Sequence, residues 1–213
     1  MTKQIISTNL LSKRELAVIQ FIHDFGFCEI SHVMKRFGLG RSNAYGQMKI
    51  LNRVGMVNHS VVLPNFPGVY FLTAKAVKLL NSDLPIITYI PTNNYTHHME
   101  VLNVYLKVRE KYPDCTWITE RQLIREKYDD LRGNKEHLPD GKLVLPDGKC
   151  IAIEVELSLK ARERLLNILT DYVVDKAIYE AWYFCSPKII SVVSEIATNF
   201  KKIKTYVLNE ELA

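Results

Sequence analysis

Residues 137–160, HLPDGKLVLPDGKCIAIEVELSLK, constrain the fold more than any other stretch, because they spell out a β-hairpin together with its turn. Leu143 to Leu145 and Cys150 to Leu157 read as the strands, and Pro146-Asp147-Gly148 as the connection. Proline pre-sets φ at the first turn position, and glycine accepts a positive φ at the last. That order favours a type I turn followed by a glycine bulge, the three-residue hairpin loop. Such a loop sets Leu145 opposite Lys149 and, counting outward, Asp140 opposite Glu154. A two-residue Asp147-Gly148 loop would instead set Asp140 opposite Val155, on the wrong face.

The second strand alternates. Ile151, Ile153, Val155 and Leu157 face one way, and Ala152, Glu154, Glu156 and Ser158 the other. An ordinary solvated strand face shows the same alternation. The other reading is a site, in which Asp140, Glu154 and Glu156 converge on one side of a sheet. Clustered carboxylates repel unless a cation lies among them, and a hard cation such as Mg²⁺ takes oxygen ligands.

The chain has 213 residues, enough for one large or two small domains. No apolar run is long enough to span a bilayer, and the N-terminus lacks the order of a signal peptide, so no membrane partner is expected. Cys28, Cys115, Cys150 and Cys185 are scattered without C-x-x-C spacing. They indicate neither a zinc site nor a disulfide framework, and read as reduced, buried thiols of a cytoplasmic protein. Charge is uneven: residues 1–81 hold 10 Lys+Arg and 3 Asp+Glu, the remainder 18 and 20. A basic domain joined to a mildly acidic one suggests a polyanion-binding module attached to something else.

Ser12-Lys-Arg-Glu15 is a capping box, and Leu16, Ile19, Ile22 and Phe25 continue it as a helical stripe that Gly26 ends. Ile30 to Phe37 is a second helix, closed by Gly38-Leu-Gly40, and Ser42 to Val54 a third. Three short helices with a glycine-containing turn before the third suggest a helix-turn-helix. Val57 to Val62 and Gly68 to Leu72 then read as the strands of a β-wing, and Thr73 caps a last helix through Leu80. The ending resembles that of winged-helix domains. The third helix is the candidate recognition helix for double-stranded DNA. Arg41, Ser42, Asn43, Tyr45, Gln47 and Lys49 are types that reach base edges and phosphates. A winged helix that binds protein, or props up the next domain, is the competing reading.

Residues 1–81 thus form the first domain, 82–95 a linker rich in Pro, Asn and Thr, and 96–213 the second domain. In the second domain His97 to Lys111 reads as helix and Thr116 to Ile118 as strand. Arg121 to Lys127 is a helical turn, and Tyr128 to Glu136 a mobile, charged loop. After the hairpin come a helix over Leu159 to Ile178, a strand over Ala181 to Cys185, a helix over Pro187 to Phe200 and a strand over Lys204 to Leu208. Mixed sheets flanked by helices are a common α/β layout.

This order, with Pro139-Asp140, thirteen intervening residues and Glu154-Val155-Glu156, resembles the PD-(D/E)XK nuclease fold of restriction endonucleases. The resemblance implies an α+β or α/β protein, a winged helix-turn-helix followed by a restriction-endonuclease-like mixed sheet. It makes Asp140 and Glu154 ligands of Mg²⁺ or Mn²⁺. The family's lysine falls at position 156, where this chain has Glu156; Lys160 is the candidate displaced lysine, or else a solvated charge at a helix start. The winged helix, Tyr95-Thr-His-His-Met-Glu-Val-Leu-Asn103, Trp117-Ile-Thr-Glu120 and the acidic hairpin together resemble the replication-relaxation family of plasmid and mobile-element proteins. Some members are MobC-type relaxases, for which an Asp/Glu/Glu set is expected, so Glu156 conforms as third ligand or base.

The resemblance also brings His97, His98 and Glu100 toward the acidic site, where capping or solvation is the bland account. Glu120 is either a further acidic group or a surface residue. Arg162 and Arg164 are either phosphate contacts or a charged helix start, and Tyr172 and Tyr179 core residues rather than nucleophiles. Two functions compete. One is metal-dependent DNA nicking by Asp140, Glu154, Glu156 and Lys160, with relaxosome or replication proteins as partners. The other is a non-catalytic replication or relaxosome accessory factor, or a repressor, whose second domain is a scaffold or homodimerisation module.

Overall fold

The computed structural model describes residues 11–130, 137–208 and 210. The chain combines helices with two sheets and divides into two compact units, Met1–Thr92 and Asn93–Ala213. The division falls inside the segment expected as the linker.

In the first unit, α1 (Lys13–Phe25) begins at the capping box: Ser12 Oγ accepts the Glu15 amide at 3.2 Å, and Glu15 Oε2 accepts the Ser12 amide at 2.6 Å. Gly26, at φ 92°, ends it by donating to the Ile22 carbonyl. The strand β1 (Phe27–Glu29) is missing from the sequence reading, because three residues are too few to show an alternation. Helices α2 (Ile30–Phe37) and α3 (Arg41–Arg53) follow, then β2 (Val57–Ser60), β3 (Val69–Leu72) and α4 (Ala74–Leu80), which Thr73 caps. The sheet order is β1-β3-β2, all antiparallel. Val18, Ile19, Ile22, Val33, Ala44, Met48 and Leu51 are buried, so all three helices contribute to one core.

The second unit opens with α5 (Tyr95–Lys111), β4 (Thr116–Thr119) and α6 (Glu120–Asp130). Tyr128 to Asp130 therefore belong to a helix rather than to the expected loop; the rest of that stretch, 131–136, lies outside the described residues. The hairpin is β5 (Gly141–Val144) and β6 (Cys150–Glu156). The remainder is α7 (Arg162–Val174), β7 (Ile178–Cys185), α8 (Ile190–Ala197) and β8 (Ile203–Val207). The α7 helix is shorter at both ends than expected. The Asp175 carboxylate accepts the Ala177 amide at 2.8 Å and turns the chain, and Ile178 is already a buried strand residue. The five strands run in the order β4-β5-β6-β7-β8, antiparallel up to β6 and parallel beyond it.

Helices cover both faces of this sheet. Val101, Val104 and Val108 of α5 pack on Leu143, Ile151, Ile153, Val155, Trp182 and Phe184. Leu165, Ile168, Leu169 and Tyr172 of α7, with Val193 and Ile196 of α8, pack on Ala152, Ala181, Tyr183 and Cys185. No helix among the described residues is long and apolar enough to cross a membrane.

Candidate functional site

The hairpin has the glycine-bulge geometry. Leu145 donates to Lys149 across the turn at 2.9 Å, Gly148 donates to Leu145 at 2.9 Å, and Gly148 lies at φ 83°. Gly141 accordingly pairs with Ile153, and Asp140 comes one residue before the paired strand, its carboxylate bonded to Val155 of the facing strand. Gly141 has a second role here, since a Cβ on it would lie 2.4 Å from the Trp117 indole. A bare backbone at that point lets the Trp117 side chain lie against the start of β5.

The ladder ends at Gly141, short of Pro139, for a chemical reason. Hydrogen-bonded pairs alternate along an antiparallel ladder, so Leu145–Lys149 is followed by 143–151, 141–153 and then 139–155. Proline has no N–H to give to the Val155 carbonyl. His97 of α5 supplies it, with Nε2 at 3.0 Å from that oxygen, and the Val155 amide donates to Asp140 Oδ2 at 2.8 Å. A carbonyl only accepts, so His97 Nε2 carries the proton. The same nitrogen is 3.4 Å from Asp140 Oδ2. Its hydrogen bond with Asp140 raises the imidazole pKa against the lowering effect of burial. One strand end, one helix start and one carboxylate are thereby joined in place of a missing rung.

Glu154 and Glu156 are not on a solvated face. They are 2 % and 6 % exposed, and buried carboxylates are costly unless hydrogen-bonded or paired. Glu154 Oε1 accepts from the Tyr172 hydroxyl and from His137 Nε2, the latter at 2.6 Å. Burial and then Glu154 itself push the Tyr172 phenol up, which keeps the hydroxyl protonated as a donor to Glu154. Glu156 is ion-paired with the Lys160 ammonium. Burial lowers the Lys160 pKa while the charges of Glu154 and Asp140 oppose it, so this lysine is within electrostatic reach of both. Glu120, at the start of α6, titrates above the ordinary carboxyl range through desolvation first and Asp140 second.

The donors fall on one oxygen of each carboxylate: Oδ2 of Asp140 and Oε1 of Glu154. Asp140 Oδ1 and Glu154 Oε2 take no hydrogen bond from the described residues. Among those residues, however, no three His, Cys, Asp or Glu side chains are grouped to hold a metal ion. Of the three carboxylates expected as ligands, Glu156 is engaged by Lys160.

The other sequence candidates separate cleanly. Arg162 and Arg164 are exposed, and Glu100 accepts from Asn103 within its own helix. Tyr179 is 48 % exposed beneath the Lys149 ammonium. His137 was missed by sequence reasoning altogether; its one sequence signal is a place two residues before Pro139-Asp140. In the first unit, Arg41, Ser42, Asn43, Tyr45 and Lys49 are exposed along α3, and Gln47 is half-buried. The Arg41 guanidinium lies 5.8 Å from the Tyr45 ring centre, a cation–π spacing that orients the arginine. Helix α3 carries Arg41, Lys49 and Arg53 and no acidic residue.

Neither a protein-family model nor a curated protein matches the chain. Among solved structures it is similar to a point mutant of Lactococcus lactis ZitR, at 16 % identity and a TM-score of 0.32 over 61 % of this chain and 78 % of that one. It is also similar to PigF with SAH, at 12 % identity and a TM-score of 0.22 over 92 % of this chain and 62 % of that one. Both superpositions are too loose to define a shared fold.

Proposed function

We propose that the protein binds double-stranded DNA through a winged helix in its first unit and cleaves or nicks it at a divalent-cation site in its second. The supporting observation is the way Asp140 and Glu154 are held. Asp140 immediately precedes β5, Glu154 lies on the paired strand β6, and protein donors fix one oxygen of each. Carboxylates that ligate metals are commonly hydrogen-bonded in this way. Mg²⁺ is usually bound by one or two carboxylates plus waters and substrate phosphates, so a pair suffices without an all-protein cage. The donor set fits the cation, and Asp140 and Glu154 would hold it. When bound, Mg²⁺ or Mn²⁺ supplies positive charge that polarises a phosphate and lowers the pKa of an attacking water.

The chain's own residues do the rest. His97 and the Val155 amide orient Asp140, and Tyr172 and His137 orient Glu154. Lys160, steadied by Glu156, offers an ammonium to a phosphate in the transition state. In the first unit, the basic, acid-free α3 would enter the major groove with Arg41, Ser42, Asn43, Tyr45, Gln47 and Lys49. This role agrees with what the resemblance to the replication-relaxation family implies, with relaxosome or replication proteins as further partners.

One observation favours a second reading, a non-catalytic DNA-binding accessory factor: each of the three carboxylates already has a protein partner. Nicking of supercoiled cognate plasmid with Mg²⁺ or Mn²⁺ separates the two. Asp140→Asn and Glu154→Gln should abolish nicking and leave DNA affinity nearly unchanged. Absence of metal-dependent product from the wild-type protein would leave the accessory role standing.

A further inference from the structure

Tyr183 is a buried donor that the fold does not use. Its side chain has no exposed surface, and its hydroxyl has no hydrogen-bond partner among the described residues. Buried hydroxyls without partners are rare because they forfeit hydration with nothing in return. A phenylalanine would fill the same place without that penalty.

The position of this hydroxyl-bearing residue is specific. Tyr183 of β7 is the direct neighbour of Glu154 across the parallel β6–β7 ladder. The ring of Tyr172, the phenol that holds Glu154, meets the Tyr183 ring edge-on at 6.4 Å between centres. A phenol is protonated at neutral pH and so offers an O–H. The group is therefore an O–H donor on the strand beside Glu154, next to the phenol that holds it. It does not compete for Glu154 Oε1, which Tyr172 and His137 already occupy.

We propose that Tyr183 is a third, uncharged member of the cation site, donating its hydrogen bond to a water in the hydration shell of a divalent cation held by Asp140 and Glu154. The inference rests on the cation-site reading above. Mg²⁺ dehydrates reluctantly and keeps several waters, which need acceptors or donors around them. A neutral phenol fills that need without adding another negative charge beside Asp140 and Glu154.

The test is Tyr183→Phe in the full-length chain, a change that preserves the ring packing. Two quantities are measured: thermal unfolding in the presence of a chelator, and Mn²⁺ affinity by titration calorimetry. The chelated variant should melt at or above the wild-type temperature, since it loses an unsatisfied group. Its Mn²⁺ affinity should fall about tenfold, as for other outer-shell partners. Unchanged Mn²⁺ affinity overturns the inference, and so does a lower melting temperature under chelation, which would show the hydroxyl already satisfied within the chain. Asp140→Asn is the control for the underlying reading. Mn²⁺ heat that is present in the wild type and lost in Asp140→Asn upholds the cation site whatever Tyr183→Phe does. No Mn²⁺ heat from the wild type overturns the site and the inference together.

Discussion

At the scale of residues, Glu120 and the cysteines make separate predictions. The Glu120 carboxyl is raised, chiefly by desolvation and then by Asp140. A carboxyl raised above its unfolded value, about 4.3, makes the ionised group a cost to folding. That cost is absent below the unfolded pKa and complete once pH exceeds the folded one. Glu120→Gln should therefore raise the melting temperature at pH 7 and leave it unchanged near pH 3. The gain should be small, because the carboxyl is only partly desolvated on a residue that is exposed as a whole, and solvent screens much of its charge. An equal shift at both pH values would discard the electrostatic origin. Among the thiols, Cys28 and Cys185 are buried while Cys115 and Cys150 are partly exposed, which revises the expectation that all four are buried. Burial pushes the Cys185 thiol up to about 12 and raises Cys28 as well. The thiolate is the reactive form. Desolvation raises the Cys115 thiol too, so exposure decides: a disulfide reagent should label the partly exposed Cys115 and Cys150 in the native protein, and Cys28 and Cys185 only after denaturation.

At the scale of elements, the hairpin rests on one backbone conformation. Gly148 lies at φ 83° with nothing near a would-be Cβ, so Gly148→Ala meets no clash and isolates the conformational cost. That cost is about 1–2 kcal/mol, read as a lowered denaturant midpoint with unchanged slope. The same glycine explains why the hairpin was legible in the sequence. Pro146-Asp147-Gly148 dictates a loop length, and loop length dictates which residue opposes Glu154. The capping box at Ser12 was legible for a similar reason, since its two hydrogen bonds are made within four residues. What could not be read depends on distant contacts. His97 and Val155 are 58 positions apart, and Tyr172 and Glu154 are 18 apart. Tyr172 therefore looked like a core residue, which it also is, and its bond to Glu154 had no local signal. The burial of Glu154 and Glu156 was hidden likewise, because an alternating strand reads the same whether its polar face meets water or a covering helix.

At the scale of the whole molecule, the charge divides as the contacts do. Met1–Thr92 contains 10 Lys+Arg and 4 Asp+Glu, whereas Asn93–Ala213 contains 18 and 19. Each unit has its own buried core, so each should fold when expressed alone. Binding to duplex DNA should reside in Met1–Thr92, because phosphate neutralisation supplies most of the sequence-independent affinity. The basic residues of α3 make this quantitative. Arg41→Ala and Lys49→Ala should each weaken binding and each reduce the slope of log affinity against log salt by about one, if the residue contacts a phosphate. Arg41→Ala has a further consequence, since it also removes the cation–π partner of Tyr45 and frees that exposed ring. Its loss of affinity should therefore exceed that of Lys49→Ala, even where the two slopes change alike. Fluorescence anisotropy across a salt series, on the isolated first unit and on the full chain, measures all of this. Binding that ignores salt, or that remains wholly with Asn93–Ala213, would move the DNA interface away from α3.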